Sequence, residues 1–111
     1  MRIFVNDLAQ LQIEFPGDRP PNAADLRTFE TTFHEEFSAN SFRDMLFDVQ
    51  NLRVPSLFLM MRFGKVMMRI SPKLIGRRTL IRGASPKVKR YLSWFFATIY
   101  KPQTTIVWED S

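Results

Sequence analysis

Two carboxylates and one imidazole are the side chains whose types and spacing suit acid–base chemistry. Asp44 and Asp48 lie four residues apart in a predicted strand, so both point to the same side of it. Paired carboxylates can act as general acid and base. The single histidine, His34, has no serine or cysteine partner and no second histidine for a metal. We therefore expect strand-end contacts for the aspartates, a solvent-facing histidine, and a non-enzymatic protein without cofactor or metal.

The composition is that of a small, apolar-rich chain without cysteine. Its 111 residues are 45% hydrophobic and include eleven phenylalanines, so we expect one core and a single domain over residues 1–111. No glycine-rich phosphate-binding pattern is present. The longest apolar runs, such as residues 57–61, are far shorter than the ~20 residues of a membrane-spanning helix. With no cysteine and no apolar signal segment, the sequence indicates a cytoplasmic protein.

Charge is distributed unevenly along the chain. Residues 1–52 carry four basic and nine acidic side chains, whereas residues 53–108 carry twelve basic and no acidic ones. The net charge of +5 therefore hides an acidic first half and a basic second half. A field of one sign attracts an acidic protein surface or another polyanion.

Hydrophobic periodicity predicts five strands and three helices in the order β-β-α-β-α-β-α-β. Alternating or β-branched apolar runs mark strands at residues 3–5, 11–15, 45–49, 79–81 and 104–108. Helical spacing marks three helices, which begin at the caps Asn22, Ser56 and Ser85 and end near residues 37, 70 and 99. Strands that alternate with helices imply an α/β fold, with a mainly parallel sheet and helices packed against it.

The second predicted helix is apolar nearly all round. Its only charges form one narrow stripe, and its methionines add apolar surface beyond what one sheet face can cover. Methionine fills core gaps and also lines adaptable binding surfaces, so both interpretations are open. The residues that a partner would contact on this helix are Met60, Met61, Arg62, Lys65, Met68 and Arg69.

The third predicted helix begins with three cations, at Lys87, Lys89 and Arg90. Cations in a first turn oppose the helix dipole, which favours anions there. Either a carboxylate, Asp44 or Asp48, or a bound anion would offset this cost. The sequence therefore predicts an anion-binding patch, whose members are Arg77, Arg78, Arg82, Lys87, Lys89 and Arg90.

The element order, and the sequence over residues 42–111, resemble STAS domains, the SpoIIAA-like fold of bacterial anti-sigma-factor antagonists. Residues 45–52 are similar to the family's buried strand and the turn after it. Residues 80–88 are similar to its penultimate strand running into the last helix. Residues 97–107 are similar to the tail of that helix and the closing strand. The resemblance implies a STAS-like domain that acts through protein contacts.

The family's phosphorylated serine has one counterpart in this sequence. Residues 54–58, Val-Pro-Ser-Leu-Phe, stand where the family carries Asp-Ser-Ser-Gly-Leu at the start of the second helix. Ser56 corresponds to the phosphorylated serine, while the family's preceding Asp and following Gly are absent here. The resemblance thus implies Ser56 as the phosphorylation candidate. Relatives that are not phosphorylated, which bind lipids or other proteins, are an equally good comparison.

Two classes of function follow from these observations. The first is a regulatory interaction module whose second helix docks an acidic protein surface or a second copy of the chain. The second is polyanion binding, to nucleic acid or anionic membrane lipid, through the cations before and at the start of the third helix. The aromatic residues near those cations fit the apolar side of the helix, so they argue against base stacking.

Overall fold

The computed structural model describes residues 1–110, and its helices begin where the sequence supplies caps. Helix α1 is Ala23–Ser38, α2 is Leu57–Ile70 and α3 is Pro86–Thr98. The caps Asn22, Ser56 and Ser85 each accept a hydrogen bond from the backbone N–H three residues later. Each such cap satisfies one of the N–H groups that a helix start leaves without a partner. A 3₁₀ turn, Ser71–Leu74, prolongs α2.

The strands form one sheet, in the order of the sequence. Strand β1 is Arg2–Val5, β2 is Gln10–Glu14, β3 is Asp44–Asp48, β4 is Arg78–Arg82 and β5 is Thr105–Glu109. The β1–β2 pair is antiparallel, and the three following pairs are parallel. The sheet order is β1-β2-β3-β4-β5, so each helix connects two neighbouring strands. The predicted α/β class and element order are confirmed.

The core lies between one face of the sheet and the three helices. Strand side chains alternate between faces, and those at odd positions of β2, β3 and β4, such as Leu11, Met45 and Ile81, join one buried cluster. All three helices contribute to this cluster, α1 through Phe29 and α3 through Phe95. Because the same strand face meets every helix, the helices lie on one side of the sheet.

The opposite face of the sheet carries no helix within residues 1–110. Its central strands place Leu46 and Leu80 there, which are buried but lie outside the helix-side cluster. Charged and polar residues fill the two ends of this face, among them Asp44 and Asp48. Strand β3 is therefore buried on both faces, and side chains of neighbouring strands cover the second face in place of a helix.

Candidate docking surface on the second helix

Helix α2 has one apolar side in the core and a second apolar side in solvent. The inner side is formed by Leu59, Met60, Val66, Met67 and Ile70. The outer side exposes Leu57 by 55%, Phe58 by 71%, Met61 by 51% and Met68 by 62%. A single sheet face covers only one side of a helix, so the outer side remains without an intramolecular partner. We call Leu57, Phe58, Met61 and Met68 the outer apolar face.

The methionines divide between the two sides of α2. Met60 and Met67 are seven residues apart, and both are buried. Met61 and Met68 are also seven residues apart, and both are exposed. Met60, which the sequence placed among the partner-contacting residues, therefore lies on the core side of α2. Neighbouring residues of an α-helix point in directions about 100° apart. Met60 can therefore face the core while Met61 faces solvent, and the same holds for Met67 and Met68.

The cationic stripe of α2 is exposed, but its members differ in what they contact. Arg62 lies over the Phe58 ring, with its guanidinium carbon 5.8 Å from the ring centroid. Arg69 instead makes a bidentate ion pair with Glu30 of α1, with both hydrogen bonds at 2.9 Å. Arg62 and Lys65 thus border the outer apolar face, whereas Arg69 is engaged within the molecule.

A groove runs between α2 and α3 beside the outer apolar face. Leu57, Met61, Lys65 and Met68 line its α2 wall, and Trp94 and Thr98 line its α3 wall. Gly64 and Ile99 form its floor, where a Cβ added to Gly64 would lie 2.7 Å from Ile99 Cγ2. The missing side chain at Gly64 therefore lets the two helices approach closely. An open volume of about 380 Å³ lies between the groove walls.

Trp94, Leu57 and Phe58 are surface residues that were not predicted from the sequence. Trp94 is 41% exposed and stands outside the apolar stripe of α3, which is formed by Val88, Leu92 and Phe95. An aromatic residue off the stripe of an amphipathic helix is the signal that could have identified it. The position of the groove itself depends on how α2 and α3 pack, which no local pattern encodes.

Ser56 lies at the start of the same surface. Its side chain is exposed, and its hydroxyl oxygen accepts a hydrogen bond of 3.2 Å from the Leu59 backbone N–H. Ser56 directly precedes Leu57, so a change of charge at this hydroxyl would act beside the outer apolar face.

The six cations predicted to bind anions lie at two ends of the sheet. Arg77 and Arg78 stand at the amino end of β4, and Arg82 stands at its carboxyl end, near the start of α3 with Lys87, Lys89 and Arg90. Arg78 and Arg82 are four residue steps apart on an extended strand, which separates them by about 13 Å. The structure therefore does not bring these six cations together in one patch.

Most of these cations are already in contact with the rest of the protein. Arg77 donates from Nη1 to the carbonyl oxygens of residues 42 and 43, at 3.0 and 3.1 Å. Arg78 pairs with Asp44 at 3.1 Å, and Arg82 with Glu109 at 3.6 Å. Lys89 lies over the Trp108 ring at 5.3 Å. Asp44 is thus held at the amino end of the sheet, away from the first turn of α3 that it was expected to neutralise.

The side chains that suggested acid–base chemistry are also used locally. Asp48 accepts a hydrogen bond from the Gln50 backbone N–H, as expected for a strand-end residue. Asp44 and Asp48 stand at opposite ends of β3, about 13 Å apart along the strand. His34 is partly exposed, and its Nδ1 lies 3.2 Å from Lys73 Nζ. Within residues 1–110 no group of three or more His, Cys, Asp or Glu side chains is placed to hold a metal ion.

The interior contains a cavity of about 70 Å³ between the sheet and the helices. Its walls present apolar atoms only, from residues such as Phe29, Phe47 and Phe95. A small apolar cavity of this kind is typical of a core built from large rings, which leave gaps at their edges. We assign it to packing.

Comparison with known proteins gives structural matches only. No protein-family profile and no curated protein matches this sequence. A serine-to-glutamate variant of RsbS from Moorella thermoacetica superposes with a TM-score of 0.60 at 14% identity, over 96% of this chain and 85% of that chain. A chain from a structure of the stressosome, which is described as a signal integration and transduction hub, superposes with a TM-score of 0.58 at 16% identity. The match covers 96% of this chain and 87% of that chain.

Both structures are STAS-domain proteins, and their likeness extends over nearly the whole of this chain. The shared features are the five-stranded, mostly parallel sheet and the three helices. Among residues 1–110, no helix is both long and apolar enough to cross a membrane. The predicted fold resemblance is therefore confirmed, and the chain has the fold of a STAS domain.

Proposed function

We propose that this chain is a non-enzymatic regulatory module that docks a protein partner through the outer apolar face of α2. The observation that carries the proposal is the exposure of Leu57, Phe58, Met61 and Met68 along one side of a single helix. Contiguous exposed apolar residues bordered by charge are typical of protein interaction sites. Arg62 and Lys65 supply that border here.

Burial of the outer apolar face by a partner would contribute favourably to docking. Full burial of a Leu, Phe or Met side chain is worth about 1.5–3 kcal/mol. Each member of the outer apolar face is already partly covered, so burial of the remaining area contributes roughly half of that. Four such contributions offset a substantial part of the several kcal/mol that association costs in lost freedom.

The contacts of the polar side chains support a non-catalytic role. Asp44 is bound to Arg78, Asp48 accepts from the chain that follows it, and His34 lies against Lys73. One structural neighbour comes from an assembly described as a signal integration and transduction hub, which also supports a regulatory role. A docking module needs a rigid surface, and α2 provides one because its inner side is anchored in the core.

We further propose that phosphorylation of Ser56 regulates this docking. The hydroxyl is exposed at the N-cap of α2, where the positive end of the helix dipole stabilises a phosphate. A dianionic group there would lie beside Leu57 and would change the charge at one end of the docking surface. The residue one turn later in the helix, Met60, is buried and would not be disturbed.

The size of the native assembly tests the docking proposal. A tagged chain expressed in its source cells is expected to migrate in a complex well above its own 13.1 kDa. The double variant Met61→Glu/Met68→Glu should migrate as the free chain, because two carboxylates would have to be desolvated in an apolar contact. Leu8→Glu is the matched control, since Leu8 is 74% exposed at the β1–β2 turn, outside the outer apolar face.

Three results would contradict the proposal. The double variant could retain the complex, the control could lose it as fully as the double variant, or the wild-type chain could migrate alone.

Replacement of Ser56 by Asp and by Ala tests the proposed regulation separately from the docking. Both Asp and Ser cap a helix and Ala does not, so an effect of Asp that Ala lacks reports charge and not lost capping.

A further inference from the structure

We infer that the groove between α2 and α3 accepts an amphipathic helix with an acidic flank, supplied by a different protein. This inference rests on the proposed docking function and specifies the chemistry of the partner.

The shape of the groove fits the ridge of a helix. From Leu57 to Met68 its α2 wall spans eleven residue steps, which is about 16 Å or three helical turns. Leu57, Met61 and Met68 follow one another at intervals of four and seven residues, so they form a row of apolar contacts along that wall. Trp94 faces them from α3, and the space between the two walls is open to solvent. Helix-in-groove recognition uses such a row of anchors.

The charges around the groove are all of one sign. Lys65 stands in its α2 wall, and Arg62 is exposed one turn before Lys65. On α3, exposed Arg90 precedes Trp94 by one turn and therefore lies on the same side of the helix. No Asp or Glu occurs between residues 53 and 108 to neutralise these cations. A helix whose flanks carry carboxylates therefore fits the groove better than a neutral or basic helix.

Neither α2 nor α1 of a second copy matches the groove in both charge and shape. Symmetric contact of α2 with α2 would bring Arg62 and Lys65 of one copy toward the same cations of the other, which is repulsive. The acidic helix α1 offers carboxylates, but its exposed side consists of small or polar residues, among them Thr28, Thr31 and Glu35. Its exposed side therefore lacks the large apolar side chains that would fill the space between the groove walls.

A membrane surface fits the groove less well than a helix does. Gly64 is buried and Ile99 is half-buried, and both lie below the walls formed by Met61, Met68 and Trp94. A flat lipid surface would contact the tops of these walls and leave the floor uncovered. A helix can place one side chain between the walls and its flanks against Lys65 and Arg90.

Binding of two designed peptides by the purified chain tests this inference. Both peptides are amphipathic helices with the same leucine anchors, and they differ only in their flanks, which carry Glu in one and Lys in the other. The chain has two tryptophans, so the variant Trp108→Phe makes fluorescence report Trp94 alone. We expect the Glu-flanked peptide to bind about five- to ten-fold more tightly, from several partly exposed charge pairs.

Charge reversal in the groove supplies the decisive comparison. In the variant Arg62→Glu/Lys65→Glu the Lys-flanked peptide should bind more tightly than the Glu-flanked one. The variant Leu8→Glu should leave the order of affinities as it is in the wild type. Met61→Glu/Met68→Glu should weaken both peptides more than ten-fold. Circular dichroism and thermal unfolding of each variant establish that it is folded.

Each other outcome overturns the inference, and the outcomes differ in what they leave standing. If both peptides bind equally, or if charge reversal does not change which peptide binds more tightly, the partner is not an acidic helix. The docking surface itself is still supported in that case if the variant Met61→Glu/Met68→Glu fails to bind. If light scattering shows a dimer that the variant Met61→Glu/Met68→Glu abolishes, the partner is a second copy of the chain. If the chain binds neither peptide, that result by itself also overturns the inference. If the chain then binds vesicles of phosphatidylcholine and phosphatidylserine through the same methionines, the proposed protein docking is overturned as well.

Discussion

Arg69 of α2 holds Glu30 of α1 through two hydrogen bonds of 2.9 Å, Nε to Oε2 and Nη2 to Oε1. The two residues are 39 positions apart in the sequence, so the pair fixes two helices relative to each other. It also removes one cation from the stripe that borders the outer apolar face. The hydrogen bond from Arg69 lowers the pKa of Glu30 below the usual glutamate value of 4.5.

The pair predicts a pH dependence of stability. Because the pKa of Glu30 is lower in the folded state than in the unfolded chain, the pair stabilises the fold at pH values above about 4.5. That contribution is lost as the pH falls through the folded-state pKa. The free energy of unfolding of Glu30→Gln should therefore fall below that of the wild type at neutral pH and approach it in acid. Urea unfolding of both proteins between neutral and acidic pH checks this.

A constant difference between wild type and Glu30→Gln at every pH would contradict the assignment, since it would mean that the carboxylate charge is not involved. Glu35→Gln is the matched control. Glu35 is exposed on the same helix and has no ion pair within 4.0 Å among the described residues, so the variant should follow the wild type throughout.

Gly64 predicts a change of sign in a double-mutant cycle. In the wild-type background Gly64→Ala places a Cβ 2.7 Å from Ile99 Cγ2, and overpacking of this kind costs about 1–3 kcal/mol. In the Ile99→Ala background the contact is gone, and alanine should stabilise α2 by up to about 1 kcal/mol through its higher helix propensity. Chemical denaturation of the four proteins measures both effects. An effect of the same sign and size in both backgrounds would show that Gly64 is not the point of close approach.

Arg77 is predicted to act as a structural residue. Its guanidinium donates to two backbone carbonyls and lies over the Phe37 ring, 4.9 Å from the centroid. Arg77→Ala should therefore lower the free energy of unfolding by about 1–2 kcal/mol, because those carbonyl oxygens lose their donor. Arg90→Ala, at an exposed position of α3, should change it by less than about 0.5 kcal/mol. Thermal or urea unfolding compares the two, and equal effects would be inconsistent with this role for Arg77.

The element order was predictable because local signals and long-range pairing agree. Caps at Asn22, Ser56 and Ser85 fix the helix starts, and the alternating and β-branched runs fix the strands. The predicted and observed bounds differ by about one or two residues at most ends. The sequence alone did not indicate that every helix packs on one side of the sheet. That arrangement follows from the strand order, since each connection joins neighbouring strands in the same direction.

The docking surface was predictable only in part, and the reason is the composition of α2. An ordinary amphipathic helix identifies its inner side by contrast with a polar side. Here both sides are apolar, so the sequence could not show that Met60 faces the core and Met61 faces solvent. The pairing of Arg69 with Glu30 was also hidden, because it depends on how α1 packs against α2.

The predicted anion patch shows a different limit of sequence reasoning. Arg77, Arg78 and Arg82 are close in the chain, but an extended strand carries the last of them to the other end of the sheet. Residues close in sequence are close in space within a helix turn, whereas a five-residue strand separates its ends. The partners of Arg78 and Arg82, which are Asp44 and Glu109, come from neighbouring strands and reflect the sheet register.

Methionine oxidation in intact cells tests the central claim most directly, because α2 contains its own controls. Met61 and Met68 are exposed in the free chain, while Met60 and Met67 are 5% and 3% exposed. Peroxide treatment followed by mass spectrometry gives the rate at each position, both in the source cells and in the purified protein. A docked partner predicts that Met61 and Met68 oxidise several-fold more slowly in cells, relative to Met60 and Met67, than in the purified chain. Equal ratios in cells and in the purified chain would contradict the account.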